Sequence, residues 1–491
     1  MIRSALLFLV VSYCLINVGC SRVNQSSVQI WVPGAPFSAD PLQSNYVVHQ
    51  IVFRSILATL ISKHRIGEYA HLLVDSWRVS PDHREWIFVP RKGLLFDNGD
   101  PIDAKAIVSS FKRIAFVSKA GKFRPSLFSK LVGVENLKSP TTEFSGISVS
   151  KDENIVFRFT APVPDLLEII SASAYAVSHP ANYDLKTGAW LDRLKVVASG
   201  PYRLVEWGNE RVTLKRRDNF SIQGGHDRPI DKFEIVWRAD QQSTSDLRLG
   251  HSSSAPQVGY EFFGGPVSGI AYVRCHSWTN ADRICGQKLD RLTLRERFYS
   301  SLRRRGLSPS GSFFPDTRSQ TDVTSFRNDG VRAKGNVTGY FLPSKSSLNP
   351  FFSAYGAALV EAGGAIGISM LPKEITPQQA VRENAPNLKA YLVDFSVRAT
   401  EVDFGSIQRE LYNMFIDPSG LQLPDPDETI RRYLLRGGLS LEYINHKIAD
   451  QGAIWPLMHF AQGFYARKGL FDFSLLNPMA TPIELVWLGF E

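Results

Sequence analysis

Residues 40–114 read DPLQSNYVVHQIVFRSILATLISKHRIGEYAHLLVDSWRVSPDHREWIFVPRKGLLFDNGDPIDAKAIVSSFKRI. The order of signals is helix, turn, strand, strand, turn, helix. Val47, Val48, Ile51, Val52, Ile56 and Leu60 recur at helical spacing and give one apolar face. Trp77 and Val79 alternate with polar neighbours before the turn signal Ser80-Pro81-Asp82, and Trp86-Ile87-Phe88-Val89 reads as a buried strand. Asp97-Asn98-Gly99 is a tight turn in which glycine supplies a positive φ. Asp103 is placed to cap the next helix, whose inner face is Ile107, Val108, Phe111 and Ile114.

Outward from this block, strands are expected at Val28–Val32, Ile155–Phe159 and Ile230–Trp237, with a short helix around Leu166–Ile170. Ser199 to Trp207 begins a hairpin, turning at Gly208-Asn209 and returning through Arg211–Arg217. Leu294, Phe298 and Leu302 form a helical stripe. Thr376 to Asn384 reads as a helix, and Lys389 to Phe395 as a strand running into a polar cluster, Asp394 to Asp403. Asp427–Leu435 and Leu441–Gln451 read as amphipathic helices, and Ile454–Leu457 as a last strand.

The chain has 491 residues, 44% hydrophobic and 21% charged, values of an ordinary globular protein. At roughly 150 residues per domain, about three domains are expected. The formal charge of +9 would suit an anionic membrane surface or nucleic acid. The cations are scattered, however. The densest run, Arg303-Arg304-Arg305, shares a helix with Arg295 and Arg297 and reads as a solvated face. No zinc-finger or RNA-binding aromatic signature is present, so nucleic acid is not an expected partner. There is no GxSxG elbow, no HExxH and no phosphate loop. His49 and His459 read as structural. No catalytic residue, cofactor or metal is expected, and the chain reads as a non-enzyme.

At the N-terminus, Arg3 precedes the apolar run Ala5–Val11, which continues to Ile16 and ends in Val18-Gly19-Cys20. This is a secretory signal peptide over 1–19. The Gly-Cys junction resembles a bacterial lipoprotein processing site, which makes Cys20 the lipidated first residue. Asn17 stands where such sites usually carry Leu. A non-lipidated signal peptide or an uncleaved anchor are the alternatives. The cysteines left in the exported part, Cys275 and Cys285, favour a disulfide in an oxidising compartment. A metal pair is the weaker reading, since His276 has no second ligand set at zinc spacing.

A wider pattern joins these pieces. Asp40-Pro41, Leu73, Trp77, Val79-Ser80, Asp82, Phe88, Arg91, Gly93, Phe96, Gly99 and Lys112-Arg113 follow in the order and spacing of the extracytoplasmic solute-binding proteins of family 5, which serve peptide and nickel ABC importers. Gly200-Pro201-Tyr202 with Trp207, and Asn219-Phe220 after the return strand, also resemble that family. Leu247 to Gly250 resembles its short helix end, and Ile454 to Leu457 its final strand. The resemblance implies an α/β fold, periplasmic-binding-protein-like class II, with two lobes joined by a hinge and an extra subdomain. The implied division is a first lobe from 20–50, 166–250 and 453–491, an extra subdomain over 51–165 and a second lobe over 251–452.

The resemblance also implies a function: delivery of a peptide-like or other small solute to an ABC permease, by a monomer held to the membrane through its lipid anchor in the periplasm or at the cell surface. A sensor or partner-binding lipoprotein of the same fold is the alternative, and an exported hydrolase the third. Trp31 and Tyr46 could line the cleft, and are equally well explained as core aromatics. The segment from Phe395 to Asp403 lies where peptide-binding relatives carry their ligand residues. Aligned on Asp403, Thr400 stands where those relatives place an acid for the ligand's terminal ammonium, and their Gly-Trp pair is absent. Either Glu401 takes that role, with the loop shifted by one residue, or Arg398 recognises a carboxylate or phosphate. Weak or no binding of unmodified di- to pentapeptides is therefore expected.

Overall fold

Val28 and Ile30 are fully buried in the first strand, Ser27–Trp31 (β1), and their alternation with half-buried neighbours is the period-two pattern the sequence carries. The computed structural model describes residues 27–43, 47–65, 68–119, 130–220, 225–252, 258–264, 269–275, 288–310, 338–343, 349–375, 393–401, 454–475 and 485–490, with residues 128, 222, 449–450 and 452. The predicted 47–60 helix is Val47–Ile56 (α1). It stops short of Leu60. The Leu57 amide closes the last turn on the Phe53 carbonyl at 2.7 Å, and Leu60 enters the core by a bend rather than along the helix face.

Two short strands follow, Ile61–Arg65 (β2) and Glu68–His71 (β3), paired antiparallel. Val74–Val79 (β4), Glu85–Pro90 (β5), the helix Ala104–Lys119 (α2), Ile147–Val149 (β6) and Ile155–Arg158 (β7) then build a four-stranded sheet in the order β4-β5-β7-β6. The Asp103 carboxylate caps α2, accepting from the Ala106 amide at 2.8 Å. Gly99 takes φ 92° in the turn before it. The inner face of α2 meets the sheet through Phe111, whose ring packs edge-on against Phe157 at 5.1 Å. Leu166–Ile170 (α3) is the expected short helix.

Tyr202–Trp207 (β8), Arg211–Arg216 (β9), Lys232–Val236 (β10), Leu247–His251 (β11) and Tyr260–Gly264 (β12) come next. They are followed by Gly269–Cys275 (β13), Lys288–Arg304 (α4), Thr338–Pro343 (β14), Asn349–Gly364 (α5), Met370–Ile375 (β15) and Val393–Glu401 (β16). Ile454–Phe460 (β17), Gln462–Arg467 (β18), Phe471–Asp472 (β19) and Gly489–Phe490 (β20) complete the chain. One sheet has seven strands in the order β12-β18-β11-β1-β10-β9-β8, and a second has five in the order β15-β14-β16-β13-β17. One core runs beneath the seven-stranded and four-stranded sheets. A separate core, with Phe298, Leu302, Leu359, Phe395 and Trp455, lies between α4, α5 and the five-stranded sheet.

Several expectations are corrected here. Leu247–Gly250 is no helix end. It is the centre of β11, parallel to β1 and antiparallel to β18, with every residue buried. A strand hydrogen-bonded on both sides satisfies its backbone without a helix. The polar stretch from Asp394 is no loop either: through Glu401 it is β16, between β13 and β14. Arg295 is not solvated. It is 5% exposed and donates from Nη1 to the Ala449 carbonyl at 2.7 Å, because α4 turns that face toward the chain near residue 449. Ile454–Leu457 is a strand, but of the five-stranded sheet; the strand that returns to the seven-stranded sheet is β18. The chain thus changes sheet between 264 and 269 and between 460 and 462, whereas the resemblance implied boundaries at 250/251 and 452/453. The helices expected at Thr376–Asn384 and Asp427–Leu435, and Leu441–Gln451 apart from residues 449–450, lie outside the described residues.

Candidate functional site

The two changes of sheet lie side by side. In the seven-stranded sheet Gly264 pairs with Gly463; in the five-stranded sheet Gly269 pairs with Phe460. Only Ala461 separates β17 from β18. Ser252, just past β11, holds it by both backbone groups: the Ser252 amide donates to the Ala461 carbonyl at 2.9 Å, and the Ala461 amide to Ser252 Oγ at 3.0 Å. A Cβ on Gly463 would lie 2.1 Å from the Phe263 carbonyl oxygen, so only glycine lets the two passages run this close. Two short adjacent crossings between separately cored sheets form a hinge.

The parallel strands β1, β10 and β11 all point their carboxyl ends to the hinge side, the side where open α/β sheets gather ligands. Trp31 ends β1 there, half-buried, with Nε1 donating to the Arg238 carbonyl at 2.9 Å. On the five-stranded sheet, Arg398 pairs in register with Tyr272, Thr400 with Ile270 and Glu401 with Gly269. Since Gly269 also pairs with Phe460, Thr400 and Glu401 occupy the sheet end that meets the hinge. Phe395 is elsewhere. It is fully buried against the Trp455 ring at 5.3 Å, and its place is in the second core rather than a cleft wall. Tyr46, Asp403, Cys20 and Cys285 lie outside the described residues; Cys275 ends β13. Among the described residues, no group of three His, Cys, Asp or Glu could hold a metal ion, and no helix is long and apolar enough to cross a membrane.

Buried polar contacts tie together the elements of the seven-stranded side. Arg113 donates from Nη2 to Asp40 Oδ2 at 2.9 Å and from Nε to the Gly188 carbonyl at 2.9 Å, with the Tyr183 and Trp190 rings over its guanidinium. The Asp40-Pro41 and Lys112-Arg113 motifs, far apart in sequence, thus meet. Gly200 presses on the end of α1, where a Cβ would sit 2.8 Å from Ile56 C and 2.9 Å from Leu57 N. Arg217 ties this loop down by donating to the Ala198, Gly200 and Leu95 carbonyls, and burial lowers its pKa from the usual arginine range. Burial likewise raises the pKa of Tyr202, whose hydroxyl donates to the Ile230 carbonyl at 2.8 Å. The sequence reading missed Arg217 and Ser252. A lone Arg at the end of a strand and a lone Ser in a loop carry no local pattern.

Residues 68–251 match the pattern of the bacterial extracellular solute-binding proteins, family 5 Middle. The fold is that of the family 5 solute-binding proteins. The periplasmic oligopeptide-binding protein OppA of Haemophilus influenzae is 26% identical over 189 residues, 37% of this chain and 34% of that protein. The chain's sequence match thus spans about a third of that curated relative's length. The structure of Haemophilus influenzae OppA in complex with RPPGFSPFR superposes with a TM-score of 0.70 at 15% identity, covering 95% of this chain and 99% of that one. NikA from Brucella suis, in complex with Fe(III)-EDTA, gives 0.66 at 13% identity over 95% and 100%. The matched family is described as solute-binding proteins, and the Haemophilus influenzae relative as an oligopeptide-binding protein.

Proposed function

We propose that this protein is an extracytoplasmic solute-binding lipoprotein that closes its two lobes on a peptide-like or other small solute and presents it to an ABC permease. The paired crossings at Gly264/Gly463 and Gly269/Phe460 carry this reading, because they give two separately cored sheets a common hinge. The register of Thr400 and Glu401 at the hinge end of β16 supports a role for that strand end in the ligand contact. Arg398, two residues before Thr400 in β16 and further from the hinge, is the alternative anchor, for a carboxylate or phosphate. The NikA complex supports keeping the solute class wider than peptides, since that relative of the same fold holds a metal chelate.

The test is isothermal titration of the mature protein with a mixed peptide library, beside mass spectrometry of any co-purifying small molecule. Weak or absent binding of unmodified di- to pentapeptides is expected. Micromolar or tighter binding lost on Glu401→Gln would assign the terminal ammonium to Glu401. Tight peptide binding indifferent to Glu401, Arg398 and Asp403 would remove this segment from the site. Lipidation at Cys20 is tested by palmitate labelling, which should mark the wild type and not Cys20→Ser.

A further inference from the structure

The register of the seven-stranded sheet lines up three cations. Arg203 of β8 stands directly opposite Lys215 of β9, and Lys215 directly opposite Lys232 of β10. Their strand neighbours Tyr202, Leu214 and Phe233 are buried, so the row lies on the outward face, with Arg203 and Lys215 exposed. Like charges directly opposite on neighbouring strands repel. The next row inward carries Glu206, Thr213 and Glu234. Those carboxylates are used locally: Glu234 meets Lys232 at 2.5 Å, and Glu206 meets Arg211 at 3.0 Å. Arg216 and Asp231, beside the row, add one charge of each sign. Among the described residues, Arg203 and Lys215 have no carboxylate partner.

The row also lies beside the start of β1. Ser27, the first residue of β1, pairs with Lys232. Cys20 lies seven residues before it in sequence. Seven residues reach at most about 25 Å fully extended. A lipid at Cys20 therefore keeps this end of the sheet close to the bilayer, and lets it approach within the roughly 10 Å over which surface charge acts at about 0.1 M salt.

We propose that Arg203 and Lys215, the two cations of this row that Glu234 does not neutralise, form a docking surface for an anionic lipid bilayer, which orients the tethered protein on its membrane. The tether geometry rests on the lipidation reading above; the binding surface does not, and its test uses protein without lipid. A lipid at Cys20 fixes where the chain meets the membrane but not how the protein is turned on it, and a basic row facing an anionic surface supplies that orientation. Each cation brought to an anionic surface is worth about fivefold in partitioning.

The test is vesicle co-sedimentation of the mature chain from residue 20 carrying Cys20→Ser. Vesicles of phosphatidylcholine mixed with phosphatidylglycerol are compared with pure phosphatidylcholine. The protein should partition onto the anionic vesicles at low salt and leave them at high salt. The double variant Arg203→Glu/Lys215→Glu should weaken this by about 25-fold or more, with an unchanged thermal midpoint showing that it folds. The control Lys92→Glu/Lys151→Glu, which makes the same change in net charge at exposed sites, should bind like wild type. Equal partitioning onto both vesicle types would overturn the proposal, as would undiminished binding by the row variant or equal loss in the control. Inorganic phosphate should displace no more protein than chloride of equal ionic strength. Selective displacement by phosphate would assign the row to a free anion instead and overturn the bilayer.

Discussion

Arg113 on one side of the hinge and the Arg304–Arg305 pair on the other are ion-paired at opposite depths. Arg113, 1% exposed, joins the chain around Asp40, Gly188, Tyr183 and Trp190 into one buried node of the larger core. Arg304 and Arg305 converge on Glu361 at the surface of the second lobe, where α4 and α5 run together. In the first case removing one partner strands a charge in low dielectric. In the second, water screens both partners and takes over when one is lost. The difference teaches that a count of ion pairs says little about stability; depth decides.

The largest test of that contrast is Asp40→Ala. It should cost about 3–5 kcal/mol, read as a fall in the urea midpoint. A cost below about 1 kcal/mol would mean that Gly188 and the two rings satisfy Arg113 without a carboxylate, and the contrast with Glu361 would collapse. Gly200→Ala comes next, because its Cβ would press on the backbone at the end of α1. About 1–3 kcal/mol is expected from such overpacking, and an unchanged midpoint would show that α1 yields freely. Asp103→Ala removes the hydrogen bond to the Ala106 amide and should cost about 1 kcal/mol.

The smallest effect is expected at Glu361. Hydrogen bonds from Ser301, Arg304 and Arg305 lower its carboxyl from 4.5 to about 2. A carboxylate with a lowered pKa in the folded state stabilises fully above its unfolded pKa, and loses that contribution as pH falls through the folded one. The thermal midpoints of wild type and Glu361→Gln should therefore differ slightly above pH 4.5 and converge as pH approaches 2. A gap that persists at the acid end would mean that Glu361 acts by packing rather than charge.

The same divide separates what the sequence reveals from what it conceals. Residues 40–114 are legible because their signals are local: the Gly99 turn, the Asp103 cap and the Ile107–Phe111 face each depend on a few neighbours. At β11 the resemblance implies a helix end, although Leu247 and Leu249 alternate with Arg248 and Gly250 as a strand does; five residues are too few for that period to decide against it. β16 did carry a signal, since Phe395, Val397 and Ala399 alternate with Ser396, Arg398 and Thr400. Attention to polarity alone hid that period. The meeting of Asp40 with Arg113, and the hinge pairing of Gly264 with Gly463, are long-range facts that no window of sequence contains. The resemblance carried the fold class. It did not carry the residue at which the chain crosses, and it set Phe395 in the cleft where packing sets it in a core.

Closure around the hinge is most directly measured by small-angle X-ray scattering of the mature protein, stripped of its co-purified solute and then resupplied with it. A fall in the radius of gyration on adding the solute back, saturating at one molecule per chain, is the predicted result. Stoichiometric binding with an unchanged radius would contradict the account, because the crossings at Ala461 and between Gly264 and Gly269 would then be a rigid joint.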